Sequence, residues 1–129
     1  MTGALLDTSI VIATEEVPLP PSAAISVVTI GELHAGVHLA RAGEIRELRV
    51  RRLEALRAAF APLPVDEAVA EHYGQVLALA RRAGRAAKAT DALVIATAAA
   101  TGRTLHTLDD AQAQLARRVR VPVGASEER

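Results

Sequence analysis

Ala4-Leu5-Leu6 is a short apolar run that stops abruptly on Asp7, Thr8 and Ser9. A run of this length with no polar alternation predicts a strand buried on both faces, as in a parallel sheet. A parallel sheet in turn requires helices layered against it, so this one feature points to an α/β chain. In open α/β sheets the ligand crevice lies at the carboxyl ends of the strands. Asp7 is therefore expected at the lip of that crevice. A carboxylate there must be solvated, paired or bound to a metal, because burying it alone is too costly. Asp7 can equally cap the next helix, as Thr8 and Ser9 also can. This stretch by itself does not choose between the two.

The rest of the chain repeats the theme. Ile10 to Ala13 suits a short helix, and Glu15 to Ser22, with Pro18, Pro20 and Pro21, predicts a loop. Ala24 to Ser26 reads as a brief second strand. Val27 to Ala40 reads as a helix that Ser26 or Thr29 can start. Gly31 and Gly36 are costly inside it, and small residues there suggest close approach to another element. A helix from Gly43-Glu44 to about Phe60 places Ile45, Leu48, Leu53, Leu56 and Phe60 on one stripe. Pro62 to Val65 is a tight link with room for one short edge strand. Asp66 to about Ala83 is a helix with Val69, Tyr73, Val76, Leu77 and Ala80 inward, ended by Gly84. The helix of Asp91 to Thr101, opened by Thr90 and closed by Gly102, is apolar nearly all round and is expected at the centre. Arg103 to Thr107 predicts a strand, Ala111 to Arg118 a short helix and Val119 to Val123 a last strand. The expected architecture is a three-layer α/β/α fold around a small central parallel sheet, a single domain over residues 1–129 with a frayed tail from about 124.

Composition narrows the chemistry. The 129 residues include no cysteine, which removes disulfides and thiolate zinc sites. Only 2% are aromatic, so the core must be built from Ala, Val, Leu and Ile, and no platform for stacking bases is evident. The 15 basic and 15 acidic residues balance. If a few acids gather on a metal, the remainder is net basic, and all the basic residues but Lys88 are arginines, the better phosphate binders. No basic segment followed by a long apolar stretch opens the chain, and Ala92 to Ala100 is far shorter than the roughly 20 residues of a membrane span. A soluble, cytoplasmic protein that does not enter a membrane is expected. A glycine-rich phosphate loop is absent, which excludes nucleotide hydrolysis of that kind.

Four acids stand at strand ends or helix starts: Asp7, Glu32, Asp91 and Asp109. Each has an ordinary explanation. Asp91 suits a helix N-terminus, Thr29-Ile30-Gly31-Glu32 matches a capping box, and Asp109-Asp110 can be a turn that starts a helix. Taken together these explanations are strained, since Asp91 leads into the most apolar segment of the chain. Clustered like charges need a counter-ion, and oxygen-only ligands favour Mg²⁺ or Mn²⁺ over zinc or copper. An acid-lined Mg²⁺ site in a crevice suits phosphodiester hydrolysis.

The motifs that carry these acids resemble those of the PIN domain, and within it of the VapC-type toxins of bacterial VapBC toxin–antitoxin systems. Leu5-Leu6-Asp7-Thr8-Ser9 is similar to the first motif, Ile25 to Gly36 with Glu32 to the second, Thr90-Asp91-Ala92-Leu93-Val94-Ile95-Ala96-Thr97-Ala98 to the third, and Leu105-His106-Thr107-Leu108-Asp109 to the fourth. The resemblance spans nearly the whole chain. It implies a Mg²⁺-dependent endoribonuclease, with Mn²⁺ able to substitute, acting on RNA as a homodimer and inhibited by a cognate VapB-like antitoxin. It implies that Asp7, Asp91 and Asp109 hold metal and that Glu32 completes the cluster, directly or through water. Thr8, Ser9 and Thr107 are expected to orient a ligand or water. Relatives often carry an aromatic shortly after the fourth acid, whereas Asp110-Ala111-Gln112-Ala113 has none. Asp110 thus stays a neighbouring candidate, with register favouring Asp109.

Arg81, Arg82, Arg85 and Lys88 form a basic patch leading into Asp91, suited either to RNA phosphates or to a solvated helix end. His34 and His38 share a helix face but have no evident third ligand. Two rival readings remain at the level of sequence. One is a phosphatase with Asp7 as nucleophile, which usually wants a second acid where Ser9 stands. The other is a non-catalytic PIN-like domain that binds RNA or protein, for which four retained acids would be unnecessary.

Overall fold

The computed structural model describes residues 3–13, 22–41 and 43–124. The expected loop of Glu15 to Ser22, apart from Ser22, and the expected frayed tail beyond Gly124 lie outside them. In chain order the elements are β1 (Ala4–Leu6), α1 (Thr8–Val11), β2 (Ala23–Ala24), α2 (Val27–Leu39), α3 (Glu44–Ala59), α4 (Glu67–Arg82), α5 (Ala89–Thr101), β3 (Thr104–His106) and α6 (Asp110–Arg118). The sheet is parallel, in the order β2-β1-β3, with Ala4 opposite Ala23 and Thr104, and Leu5 opposite Ala24 and Leu105. Single parallel bridges, Ser26 to Leu63 and Leu105 to Val123, extend each edge.

Because side chains alternate across a strand, β1 divides the core. Leu5 joins Val76 and Ala80 of α4, Val94, Ile95 and Ala98 of α5, and Leu115 and Ala116 of α6. Leu6 joins Ile10 of α1, Ile30, Leu33 and Val37 of α2, and Leu53 of α3. The result is the expected α/β/α sandwich. Helix α5 is the central helix, with Ala92 and Val94 to Ala98 buried, and it packs chiefly on α4. Gly102 closes it in the left-handed region, at φ 66°, where a side chain would be strained. Among the described residues no helix is long and apolar enough to cross a membrane.

Several local readings change. The second strand is only Ala23–Ala24, since Ser26 instead caps α2, its side chain accepting from the Val28 N–H at 2.9 Å. Thr29 therefore lies inside the first turn, and the Thr29–Glu32 capping box does not form. Nothing lies within 4 Å of a side chain built at Gly31, and at Gly36 only the Arg49 guanidinium does, at 3.9 Å, so neither glycine marks a close helix approach. The Val119 to Val123 stretch is a turn followed by a single bridge at Val123, because Arg120 turns the chain at φ 66°. The α3 stripe splits: Leu53 is buried, whereas Ile45 and Leu48 are 60% and 57% exposed.

Candidate metal centre

Asp7 follows β1 directly and begins α1. Its main-chain N–H donates to the His106 carbonyl at 2.9 Å, which continues the β1–β3 ladder by one step. The side chain is 5% exposed, and its burial is offset by dense hydrogen bonding. The Ser9 hydroxyl donates to Oδ2 at 2.7 Å, the Ser9 N–H at 3.3 Å and the Thr107 hydroxyl at 2.9 Å. Asp7 thus caps α1 at the carboxyl end of β1.

Thr107 and Ser9 also tie the fourth motif to the first. The Leu108 N–H donates to Ser9 Oγ at 2.9 Å and the Asp109 N–H to Thr107 Oγ1 at 3.0 Å. Asp109 caps α6, accepting from the Gln112 N–H at 3.1 Å. It lines a cavity of about 230 Å³ together with Asp91, Arg85, Lys88 and Gln112. Asp110 lines a different hollow, with Leu108 and Arg117. Of the neighbouring pair, Asp109 shares the space of Asp91.

Glu32 lies on α2 across from α1. Thr8 Oγ1 donates to its Oε1, and the buried Thr29 hydroxyl sits 3.0 Å from Thr8 Oγ1. A hydroxyl chain from Thr29 through Thr8 therefore orients Glu32. Asp91 occupies the first turn of α5. Burial holds its carboxyl above the usual carboxylate value, reinforced by the charges of Asp7, Asp109 and Glu32 and partly opposed by Lys88. The four acids are thus electrostatic neighbours although they come from four separate segments. Arg85 and Lys88 reach this space; Arg81 and Arg82, exposed in the last turn of α4, are not among its lining. His34 and His38 are exposed on α2.

The donor set is all oxygen. Among the described residues no three His, Asp or Glu side chains close on one point tightly enough to cage an ion by themselves. An all-oxygen donor set suits Mg²⁺, which keeps several waters and takes one or two carboxylates. It does not suit a closed structural zinc site. The bonds from Ser9 and Thr107 all fall on Oδ2 of Asp7, which leaves Oδ1 the freer oxygen for a cation.

Sequence reading missed one residue here. Gln112 is 3% exposed in the first turn of α6, wedged between Asp7, Thr107 and Asp91. The signal available was an amide three residues after a capping acid, in a helix whose other inward positions are Ala113, Leu115 and Ala116.

Beside this centre, α1, α2 and α3 enclose a groove of about 490 Å³. Its walls include Ile12, Leu33, Ile45 and Leu48, with Glu32 and Thr8 at one end and Arg49 and Arg52 on the rim.

Comparison with known proteins places these features. The sequence model of the PIN domain matches residues 4–118. The chain is 43% identical over 100 residues to ribonuclease VapC8 of Mycobacterium tuberculosis, covering 73% of this chain and 88% of that one. It is 35% identical over 112 residues to ribonuclease VapC5 of the same organism, covering 82% of each. The solved structure of VapBC-5 from Mycobacterium tuberculosis, a member of the VapBC family of toxin–antitoxin systems, superposes with a TM-score of 0.80 at 32% identity, covering 89% of this chain and 91% of that one.

Proposed function

The chain belongs to the PIN-domain family and within it to the VapC ribonucleases, and from that premise we propose that it is a Mg²⁺-dependent endoribonuclease, the toxin of a cytoplasmic toxin–antitoxin pair. The observation that carries the catalytic part is the electrostatic convergence of Asp7, Glu32, Asp91 and Asp109 at the head of the most deeply buried helix. An acidic cluster in that position is disfavoured unless a cation neutralises it.

Asp7, Asp91 and Asp109 would hold the ion, Mg²⁺ or Mn²⁺, with Glu32 completing the set directly or through water. When bound, the ion supplies Lewis-acid activation of water and charge stabilisation at the phosphodiester. Thr8 occupies Oε1 of Glu32, so Oε2 is the oxygen that accepts a proton from the attacking water. Ser9 and Thr107 hold Asp7 in one orientation. Arg85 and Lys88, on the same cavity as Asp91 and Asp109, bind substrate phosphate beside the acids, and Arg81 and Arg82 extend the basic path outward. The cognate VapB-like antitoxin lays an apolar segment in the groove of Ile12, Leu33, Ile45 and Leu48, with a basic side chain directed at Glu32. The active species is a homodimer.

The test is incubation of total cellular RNA with purified protein in Mg²⁺, in Mn²⁺ and in EDTA, beside Asp7→Asn. Discrete fragments that require both metal and Asp7 are expected, and their ends identify the target. Cleavage at the wild-type rate by Asp7→Asn would overturn the site assignment. Absence of both cleavage and metal binding would favour a non-catalytic RNA- or protein-binding domain.

A further inference from the structure

We infer that Gln112 is a positioning residue of the acidic centre: its carboxamide nitrogen grips both carboxylate oxygens of Asp7 and fixes that side chain for a divalent cation. The inference rests on the reading of Asp7 as a metal ligand. With its nitrogen toward Asp7, the amide donates to Oδ2 at 2.9 Å and to Oδ1 at 3.0 Å, and lies 3.2 Å from Thr107 Oγ1. The reverse orientation would press the amide oxygen onto two carboxylate oxygens, a repulsive contact in a buried place. Chemistry therefore selects the gripping orientation.

The local backbone explains why the amide is available. Asp109 and Gln112 occupy the cap and third positions of α6, the spacing of a capping box. In a complete box the glutamine side chain would turn back to the N–H of the capping residue. Here that N–H is already taken by Thr107 Oγ1. Gln112 keeps the half of the box made by its own N–H, and its side chain is released inward to Asp7. One hydroxyl thus serves the cap and the site together.

The grip also complements the other bonds. Ser9 and Thr107 anchor Oδ2 and place no bond on Oδ1, so the second oxygen takes its restraint from elsewhere. Gln112 supplies that restraint with one N–H while leaving Oδ1 lone-pair capacity for a cation. Partners that orient a ligating carboxylate typically change metal affinity by about 10- to 100-fold when removed.

Isothermal titration of Mn²⁺ into the full chain, free of antitoxin, tests this with four proteins: wild type, Gln112→Met, Asp7→Asn and the double variant. Methionine keeps the length and burial of the side chain and removes the donor. Gln112→Met is expected to weaken Mn²⁺ binding about tenfold or more with an unchanged circular dichroism spectrum. In the Asp7→Asn background the same change should have no further effect, because the amide acts through Asp7. A second measurement needs no Gln112 variant. The Gln112 side-chain NH₂ should exchange slowly with solvent in ¹⁵N-labelled wild type and rapidly in Asp7→Asn. Wild-type Mn²⁺ affinity in Gln112→Met, an equal loss in both backgrounds, or an unprotected amide would overturn the inference. Wild type that binds no Mn²⁺ would instead remove the metal reading of Asp7, and with it this role.

Discussion

Asp7 serves at once as a helix cap and as the most enclosed acid of the site, and the two roles are compatible because its oxygens divide the work. Oδ2 takes the bonds of Ser9 and Thr107 and one from Gln112, and Oδ1, touched by Gln112 alone, is the oxygen proposed for a cation. Asp91 is the opposite case, an acid held above its ordinary value of 3.8 by burial and by Asp7, Asp109 and Glu32. The folded chain therefore holds the Asp91 proton more tightly than the unfolded chain does. The stability from this group is fully present below the unfolded value and is lost as pH rises through the folded one. In EDTA, Asp91→Asn is expected to raise Tm near neutral pH, with the gain vanishing as wild type is acidified into the ordinary carboxylate range. Melting curves across that range decide it; a variant that melts below wild type at neutral pH would contradict the repulsion. The four acids were legible in the sequence because each ends an apolar run or begins a helix. Gln112 was not, because what it touches comes from β1 and from the turn before α6, and a local pattern does not bring those together.

At the scale of elements, α3 shows where periodicity misleads. Its apolar positions fit one stripe on paper, yet only Leu53, Leu56 and Phe60 of that stripe pack on the core, while Ile45 and Leu48 face the groove beside Glu32. Urea denaturation should separate the two groups. Leu53→Ala is expected to cost about 2–5 kcal/mol, and Leu48→Ser to stay within about 0.5 kcal/mol. The same Leu48→Ser should weaken the antitoxin in a pull-down or titration while leaving RNA cleavage by the free chain unchanged. Helix α2 was readable from its first residue: Ser26, one of the two starters the sequence offered, caps it, and Thr29, the other, is buried and joined to Thr8. The final stretch has the β-branched composition of a strand, but after the turn at Arg120 it has length for one bridge only.

For the whole molecule, the sheet separates two cores, and the acids that follow β1 and β3 meet those carried by α2 and α5. On the proposed reading, a cation there would bind the folded chain and not the unfolded one. Saturating Mg²⁺ is therefore expected to raise Tm, by the equivalent of about 2.7 kcal/mol at a hundredfold excess over Kd. Asp7→Asn combined with Asp91→Asn should lose that response in a thermal shift series. The sequence by itself determined the layer order, the central place of α5 and the four acids, because those follow from apolar periodicity and from where it is interrupted. Only the tertiary structure decided which of Asp109 and Asp110 faces Asp91, that Ile45 and Leu48 line a groove, and that Gln112 closes on Asp7. Each of these depends on the relative placement of segments remote in the chain, which is set by side-chain packing between layers and leaves no periodic trace in any one of them.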